Sequence, residues 1–210
     1  MKKFFILFVA LWTVACADEK PLTLAQAVDA DDIPAVQAAL ERGESINSFD
    51  ESGKTALMSA SENGQTELVK LLLFLHANPN IPARDPHAPG TTALMLASQH
   101  NHADVATLLL DAGANAEQPN QEGKTPLMAA SEKGHTEMVE LLLKERARID
   151  AQNKGGVTAL MLAAHEGHVH TVQQLLKAGA DPKITDAAGH TAVYYSRKPR
   201  LVLLLQGNGK

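Results

Sequence analysis

A four-residue motif that recurs at a fixed spacing constrains the fold of this chain more than any other feature. It is Thr-Ala-Leu-Met or Thr-Pro-Leu-Met at 55–58, 92–95, 125–128 and 158–161, and Thr-Ala-Val-Tyr at 191–194. Its threonines are 37, 33, 33 and 33 residues apart, and the four full copies are each followed by small residues and then by a leucine-rich stretch. A period of this length is typical of proteins that stack one supersecondary unit many times.

The third copy shows how one unit is expected to fold. Gly123 suits a tight turn, Thr125 is a good N-cap, and Pro126 fits the first helical position because its missing N–H needs no partner there. A first short helix is expected to end at Gly134, and Thr136 is expected to cap a second helix. Two such helices cannot bury their apolar faces alone, so neighbouring units have to stack.

These units resemble the ankyrin repeat. Its G-x-T-P-L-H-x-A-A…G-H…L-L-L pattern stands here as Gly123-Lys-Thr-Pro-Leu-Met-Ala-Ala130, Gly134-His135 and Leu141-Leu-Leu143. The resemblance implies an all-α solenoid of helix-turn-helix units with β-turn or hairpin tips, in which four fuller repeats lie between N- and C-terminal caps. It covers residues 22–206 and leaves 207–210 as a tail. The family histidine of T-P-L-H, which hydrogen-bonds neighbouring repeats, is methionine in every full copy, so these bonds are expected to be missing. We interpret the methionines as core filler rather than as ligands of a soft metal.

The first 17 residues have the layout of a secretory signal peptide. Two lysines precede an apolar run of 11 residues and a small-residue exit, Ala-Cys-Ala, at 15–17. Two processing routes stay open: cleavage before Asp18 by the A-x-A rule, or lipidation of Cys16 in the sequence Thr-Val-Ala-Cys, which resembles a bacterial lipobox. Residues 18–21 then form a short tether. Either route predicts export to a bacterial periplasm, and lipidation adds an outer-membrane anchor; a buried N-terminal helix is the remaining alternative.

Composition excludes several classes of protein. Only eight residues are aromatic and four of them lie in the first dozen positions, so the core has to consist of Leu, Ala, Val and Met. A single cysteine excludes a disulfide scaffold. The net charge of −5 argues against nucleic-acid binding, which normally needs a concentrated basic face. Neither a nucleotide-binding glycine motif nor a G-x-S-x-G nucleophile elbow occurs, so we expect no enzymatic activity and no cofactor.

In ankyrin proteins the turn tips and first helices line a concave face that binds partner proteins. Transferring those positions to this chain, and adding the lengthened tip of the second copy, gives the predicted protein-binding set: Glu51, Lys54, Glu62, Asn63, Arg84, Asp85, His87, Gln99, His100, Glu122, Lys124, Glu132, Lys133, Lys154, His165, Glu166 and His190. The set has mixed charge and almost lacks aromatic side chains, which predicts a polar, salt-sensitive contact without large anchors. The implied function is a monomeric, non-enzymatic module that binds another exported protein as an inhibitor, immunity factor, assembly aid or scaffold.

Two other functions stay open. His165, His168 and His170 form a histidine cluster, and neutral imidazoles could bind zinc or copper in a metal-binding or redox-stress protein. However, a predicted turn separates the first and last of them, and no H-E-x-x-H motif or cysteine accompanies them. The second alternative is a secreted effector that acts on host proteins. A lipid on Cys16 would argue against that role because the protein would stay tethered.

Overall fold

The computed structural model describes residues 20–196 and 198–207, and over those residues the chain forms twelve helices in six consecutive pairs. The pairs are α1 (Leu24–Asp29) and α2 (Ile33–Glu41), α3 (Ala56–Glu62) and α4 (Thr66–Phe74), α5 (Ala93–His100) and α6 (Ala103–Asp111), α7 (Pro126–Lys133) and α8 (Thr136–Lys144), α9 (Ala159–Glu166) and α10 (Val169–Lys177), and α11 (Ala192–Tyr195) and α12 (Pro199–Leu205). This architecture confirms the predicted all-α solenoid. The predicted signal peptide, its Cys16 and the first half of the tether lie outside the described residues.

Successive pairs stack with like against like. First helices contact the first helices of the neighbouring pairs, and second helices contact second helices. One apolar core therefore runs from Leu24 to Leu205. The motif methionines are all buried, with Met128 fully buried and Met95, the most exposed of the four, only 3% exposed. Slim side chains fill these layers, which is why the chain folds with so few aromatic residues.

The motif threonines set where the first helices begin. In all four full copies the threonine hydroxyl accepts a hydrogen bond from the N–H three residues later, at 3.3–3.4 Å, as at Thr125 and Met128. Pro126 occupies the first turn of α7, and the helix stops at Gly134, which adopts a left-handed conformation. Each of these three features matches the sequence prediction for that copy.

The prediction that Thr136 caps a second helix is wrong. The N-cap of α8 is His135, which makes no side-chain capping bond, and Thr136 is the first helical residue. The Thr136 hydroxyl instead lies 3.0 Å from the hydroxyl of Thr171 in the next repeat. The Thr136 hydroxyl thus contacts a neighbouring repeat rather than its own helix end.

Hydrogen bonds from the residue before each second helix, from α4 onwards, tie neighbouring pairs together. A side-chain nitrogen of that residue lies 2.8–3.0 Å from a carbonyl oxygen at or just after the end of the preceding first helix: Gln65 to Val28, His102 to Glu62, His135 to Gln99, His168 to Glu132, and Lys198 to Gly167. Because a carbonyl can only accept, each histidine carries its proton on Nε2. The repeats are therefore hydrogen-bonded to one another from a position other than the one that methionine occupies. We call these bonds the helix rungs.

The turn after each second helix is left-handed. Its positive φ is provided by Gly43, Gly113 and Gly179, but also by His76 and Arg146, both at φ 64°. A left-handed conformation costs a residue with a Cβ roughly 1–2 kcal/mol. The two non-glycine turns therefore carry local strain that the stacked helices hold in place.

None of the helices in the described ranges is long and apolar enough to cross a membrane.

Candidate functional site

Side chains from the turn tips and from the ends of the first helices meet on one face of the stack. Lys54 at the first tip places its Nζ 2.5 Å from Oε2 of Glu62 at the end of α3, and Lys124 pairs with Glu132 in the same way. We call this surface the tip face. It consists of the tips at 50–54, 83–91, 120–124, 153–157 and 186–190 together with the last turns of α3, α5, α7 and α9 and the short helix α11.

Each simple tip is closed by an Asp or Asn side chain. The Oδ1 atoms of Asp50, Asn120, Asn153 and Asp186 accept hydrogen bonds from the backbone N–H four residues later, at 2.8–2.9 Å. This local bond competes with helix and strand formation and so favours a turn at these residues. The position of every tip residue is therefore fixed by its own repeat.

Backbone hydrogen bonds also join each tip to the next. The N–H groups of Arg84, Gln121, Lys154 and Ala187 donate to carbonyls of the preceding tip at 2.8–3.0 Å. The tips approach so closely that a Cβ on Gly123 would lie 2.8 Å from the backbone nitrogen of Lys154. The tip face is consequently one rigid row rather than five independent loops.

The four extra residues of the second copy lie inside its tip. Ala83 and Thr91 bracket it, with the Ala83 N–H donating to the Thr91 carbonyl at 2.8 Å. The predicted contact residue Arg84 turns back towards the first repeat, where its guanidinium carbon lies 4.2 Å from the centre of the Phe49 ring. Asp85 accepts from the N–H of His87 at 2.8 Å, and the His87 side chain is exposed.

Lys–Glu ion pairs occur on the tip face in every second full repeat. The Lys–Glu pairs belong to the first and third full repeats, whereas the second has Thr91 with Gln99, and the fourth has Val157 with His165. Glu62 also lies 3.8 Å from Nε2 of His100, so one carboxylate faces two potential cations. Such surface pairs contribute about 0–1 kcal/mol each, and they orient side chains more than they stabilise the fold.

The remaining predicted contact residues are presented singly. Within the described residues the side chains of Glu51, Asn63, Glu122, Lys133 and Lys154 are exposed and form no ion pair. The structure thus brings part of the predicted set together in pairs and leaves these five accessible from solvent.

The three clustered histidines have different surroundings and do not converge on one site. His168 forms a helix rung, His165 lies 3.7 Å from Oε1 of Glu166, and His170 is exposed on α10. In the part of the chain that the structure describes, no three His, Cys, Asp or Glu side chains are arranged to hold a metal ion.

An aromatic cluster at the C-terminal end of the tip face was missed by the sequence analysis. The Tyr194 and His190 rings stack in parallel with centroids 3.6 Å apart, and Tyr195 stands edge-on to Tyr194 at 5.5 Å and to His165 at 5.9 Å. The Tyr195 hydroxyl donates to the Asp186 carboxylate. We call these five residues the aromatic cluster. At this end the face therefore does present a large aromatic side chain, because Tyr194 is 65% exposed.

Hydrogen bonding shifts two pKa values within this cluster. The Tyr195 hydroxyl, helped by the backbone N–H groups of His190 and Ala188, lowers the pKa of Asp186 against the opposing effect of burial. The same bond raises the pKa of Tyr195, because a phenolate has no proton to donate to Asp186 and would be repelled by the carboxylate charge. Both shifts favour the state in which the phenol donates to an ionised carboxylate.

An open groove of about 890 Å³ marks the opposite, N-terminal end of the tip face. It lies between α1 and the first tip, and its lining includes Gln26, Phe49, Lys54 and Glu62.

The arrangement of tips and helix pairs agrees with the comparison to known families. A model of ankyrin repeats, described as "Ankyrin repeats (3 copies)", matches residues 10–85, 75–153, 94–186 and 142–207. The chain belongs to the ankyrin repeat family. Among related ankyrin repeat sequences, it is 36% identical to "Protein fem-1 homolog A-like" of Mus musculus over 83 residues, which are 40% of this chain and 11% of that protein. It is 37% identical to "Ankyrin repeat and SAM domain-containing protein 6" of Rattus norvegicus over 70 residues, 33% of this chain and 8% of that one.

This ankyrin repeat protein therefore spans about a tenth of the length of the curated relatives it matches. What they share with it is the repeat array, and ankyrin repeats are modules that bind other proteins. The chain is accordingly a protein–protein interaction module.

Proposed function

We propose that this ankyrin repeat protein works in the bacterial periplasm, where it binds another exported protein through its tip face as a monomer and catalyses no reaction. Its role there is that of an inhibitor, immunity factor, assembly aid or scaffold. The single observation that carries the tip-face assignment is the row of tips joined by backbone hydrogen bonds at 2.8–3.0 Å. The periplasmic assignment is supported by the signal-peptide pattern of residues 1–17.

Docking of a rigid surface is the mechanism that this row favours. Tips that are already ordered lose little conformational freedom on binding, which lowers the cost of association. The alternating Lys–Glu pairs and the exposed Lys133 and Lys154 give the face a mixed charge pattern. Such a pattern steers encounter and selects partners by charge complementarity, so binding should weaken as salt is raised.

A pull-down with two matched triple variants tests the tip-face assignment. The tip-face variant replaces Glu132, Lys133 and His165 with alanine. The control replaces Glu137, Lys144 and His170, which are the same residue types exposed on the second helices. Immobilised wild type and control are expected to recover the same periplasmic protein, and the tip-face variant at most about a tenth as much. Equal recovery by both variants would contradict the assignment, and circular dichroism should show that all three baits are folded.

Intact-mass analysis of the mature protein tests export and anchoring together. The protein is expressed with residues 1–17 and recovered from the periplasmic and membrane fractions. A mass that corresponds to a chain starting at Asp18 indicates the A-x-A route. A mass that corresponds to a lipid-modified chain starting at Cys16 indicates an anchored lipoprotein. A chain that keeps Met1 and stays in the cytoplasm would refute export. Processed protein found in the medium would contradict the periplasmic assignment and support an effector that acts on host proteins.

A further inference from the structure

The last copy exposes an aromatic ring at a position where the four full copies bury their side chain. Tyr194 occupies the third position after its motif threonine, where the full copies have methionines that are at most 3% exposed. In the last copy the Tyr194 side chain is 65% exposed and lies against the tip residue His190. A large aromatic surface is therefore presented at one end of a face whose other contacts are polar.

The cluster is held in place before any partner arrives. The parallel stack of Tyr194 on His190 has an interplanar angle of 6°, and Tyr195 supports both rings edge-on. Tyr195 is itself anchored by its hydrogen bond to Asp186, whose backbone belongs to the last tip. Tyrosine has few rotatable bonds, and here they are already restricted, so contact with this surface costs little side-chain entropy.

The electrostatics of the cluster suit a planar cation. Aromatic faces attract cations, and arginine does so most readily because its guanidinium stacks on rings and pairs with carboxylates in the same plane. Two carboxylates add negative charge beside the rings. Glu166 is accessible, with an oxygen 3.7 Å from Nε2 of His165, whereas the Asp186 side chain is only 6% exposed and contributes its charge from beneath His190, 3.5 Å from Nδ1. Lys198 of the adjoining helix rung keeps its positive charge, but its ammonium group is directed to the Gly167 carbonyl, 2.8 Å away.

We propose that the aromatic cluster is the anchor point of the tip face and that it binds an arginine side chain from a basic segment of the partner protein. This inference rests on the proposed function, because it presumes that the tip face binds a protein. It adds the chemistry of the partner and the end of the face at which that partner is anchored. Arginine and tyrosine are also the residue types enriched where interfaces gain most of their affinity.

A random dodecapeptide library selected on the immobilised protein tests the inference without knowledge of the natural partner. Selected peptides are expected to be enriched in arginine, and replacing that arginine with glutamine should weaken binding by about tenfold. Tyr194→Ser should cause a similar loss, whereas Tyr194→Phe, which keeps the ring, should stay within about twofold. The matched control is Phe74→Ser, because Phe74 is an aromatic side chain that is 79% exposed on a second helix.

The outcomes separate this inference from the proposed function. Peptides that lose affinity on a Glu132→Ala/Lys133→Ala variant, which leaves the aromatic cluster intact, but not on Tyr194→Ser would overturn the anchor and leave the tip face as the binding surface. Enrichment of acidic or purely apolar peptides, or a library without arginine-dependent binders, would also overturn it. If the pull-down variants additionally recover equal amounts of partner, the tip-face function fails as well. Urea unfolding of Tyr194→Ser should confirm that a loss of binding does not reflect unfolding.

Discussion

At the scale of single residues, the hydrogen bond from Tyr195 to Asp186 couples the aromatic cluster to pH. Tyr195→Phe removes the donor, so the pKa of Asp186 should rise towards its ordinary value, which a carbon-detected NMR titration of the carboxylate would measure. Because Asp186 has a lowered pKa when folded, its contribution to stability is present above the unfolded pKa of about 4 and is lost as pH falls through the folded value.

The raised pKa of Tyr195 sets the upper pH limit of this stabilisation. The contribution of Tyr195 to stability is present below its unfolded pKa of about 10 and is lost as pH rises through its folded pKa. Wild type should therefore be more stable than Tyr195→Phe between about pH 4 and pH 10, and the two should converge below the folded pKa of Asp186. A stability difference that is independent of pH down to pH 2 would contradict the assigned bond.

The helix rungs give a second prediction for single residues. His135→Ala leaves the Gln99 carbonyl without its partner and should lower the free energy of unfolding by about 1–3 kcal/mol in urea. His135→Gln should lower it by less than half as much, because Gln65 makes the same rung to Val28 at 2.8 Å in the first repeat. Equal effects of the two substitutions would show that the ring itself, and not the hydrogen bond, matters.

Some local bonds could be predicted from the sequence at this scale, although the cap expected at Thr136 does not form, and distant bonds could not be predicted. The Thr125 cap joins residues three apart, so the motif alone indicates it. The rung of His135 reaches 36 residues back, and the role of Tyr194 depends on the absence of a further stacked repeat within the described residues. Neither follows from the pattern of a single unit. A tyrosine pair in a degraded last copy was the only available signal for the aromatic cluster.

At the scale of elements, alanine substitutions at two glycines should separate two contributions to the free energy of unfolding, the strain of a left-handed backbone and the close contact between neighbouring tips. A Cβ on Gly113 would meet nothing within 4 Å, so Gly113→Ala should cost only the left-handed conformation, about 1 kcal/mol. A Cβ on Gly123 would lie 2.8 Å from the backbone of the next tip, so Gly123→Ala should cost clearly more. Urea denaturation measures both values. Equal losses would indicate that the tips are not joined as the structure has them.

The length of the second tip could be predicted from the sequence, but the direction of its side chains could not. The spacing of 37 predicted a lengthened tip in the second copy, and the tip at 83–91 is four residues longer than the others. The direction of Arg84 was not predictable, because it depends on Phe49 and the Gly53 carbonyl of the preceding tip. Whether this tip contacts a partner stays a prediction, and its exposed His87 is the side chain to replace first.

At the scale of the whole molecule, the tip bonds and the helix rungs each join one repeat to the next, so the stack behaves as a chain of nearest neighbours. The helix rungs span 36 residues in two adjacent full repeats, and the tip bonds of those repeats span 32. An interior repeat is thus bonded only to its two neighbours. The core is continuous, yet no described hydrogen bond between tips or helix rungs skips a repeat.

Deleting one interior repeat should therefore leave a folded protein. Removal of 125–157 joins Lys124 to Thr158 and keeps the register, so His168 should reach the Gln99 carbonyl that His135 now occupies. Since six helix pairs become five, the urea m-value should fall by about one sixth while unfolding stays cooperative. The control deletion, 136–157, removes α8 and the following tip, so α7 is followed directly by α9 with no second helix to cover its apolar side. That control should lose more helical circular dichroism signal than the deleted residues account for, and it should lose its single cooperative transition. If the 33-residue deletion unfolds as completely as the control, the repeats depend on more than their nearest neighbours, because the bonds across the new junction would then be insufficient to hold the stack together.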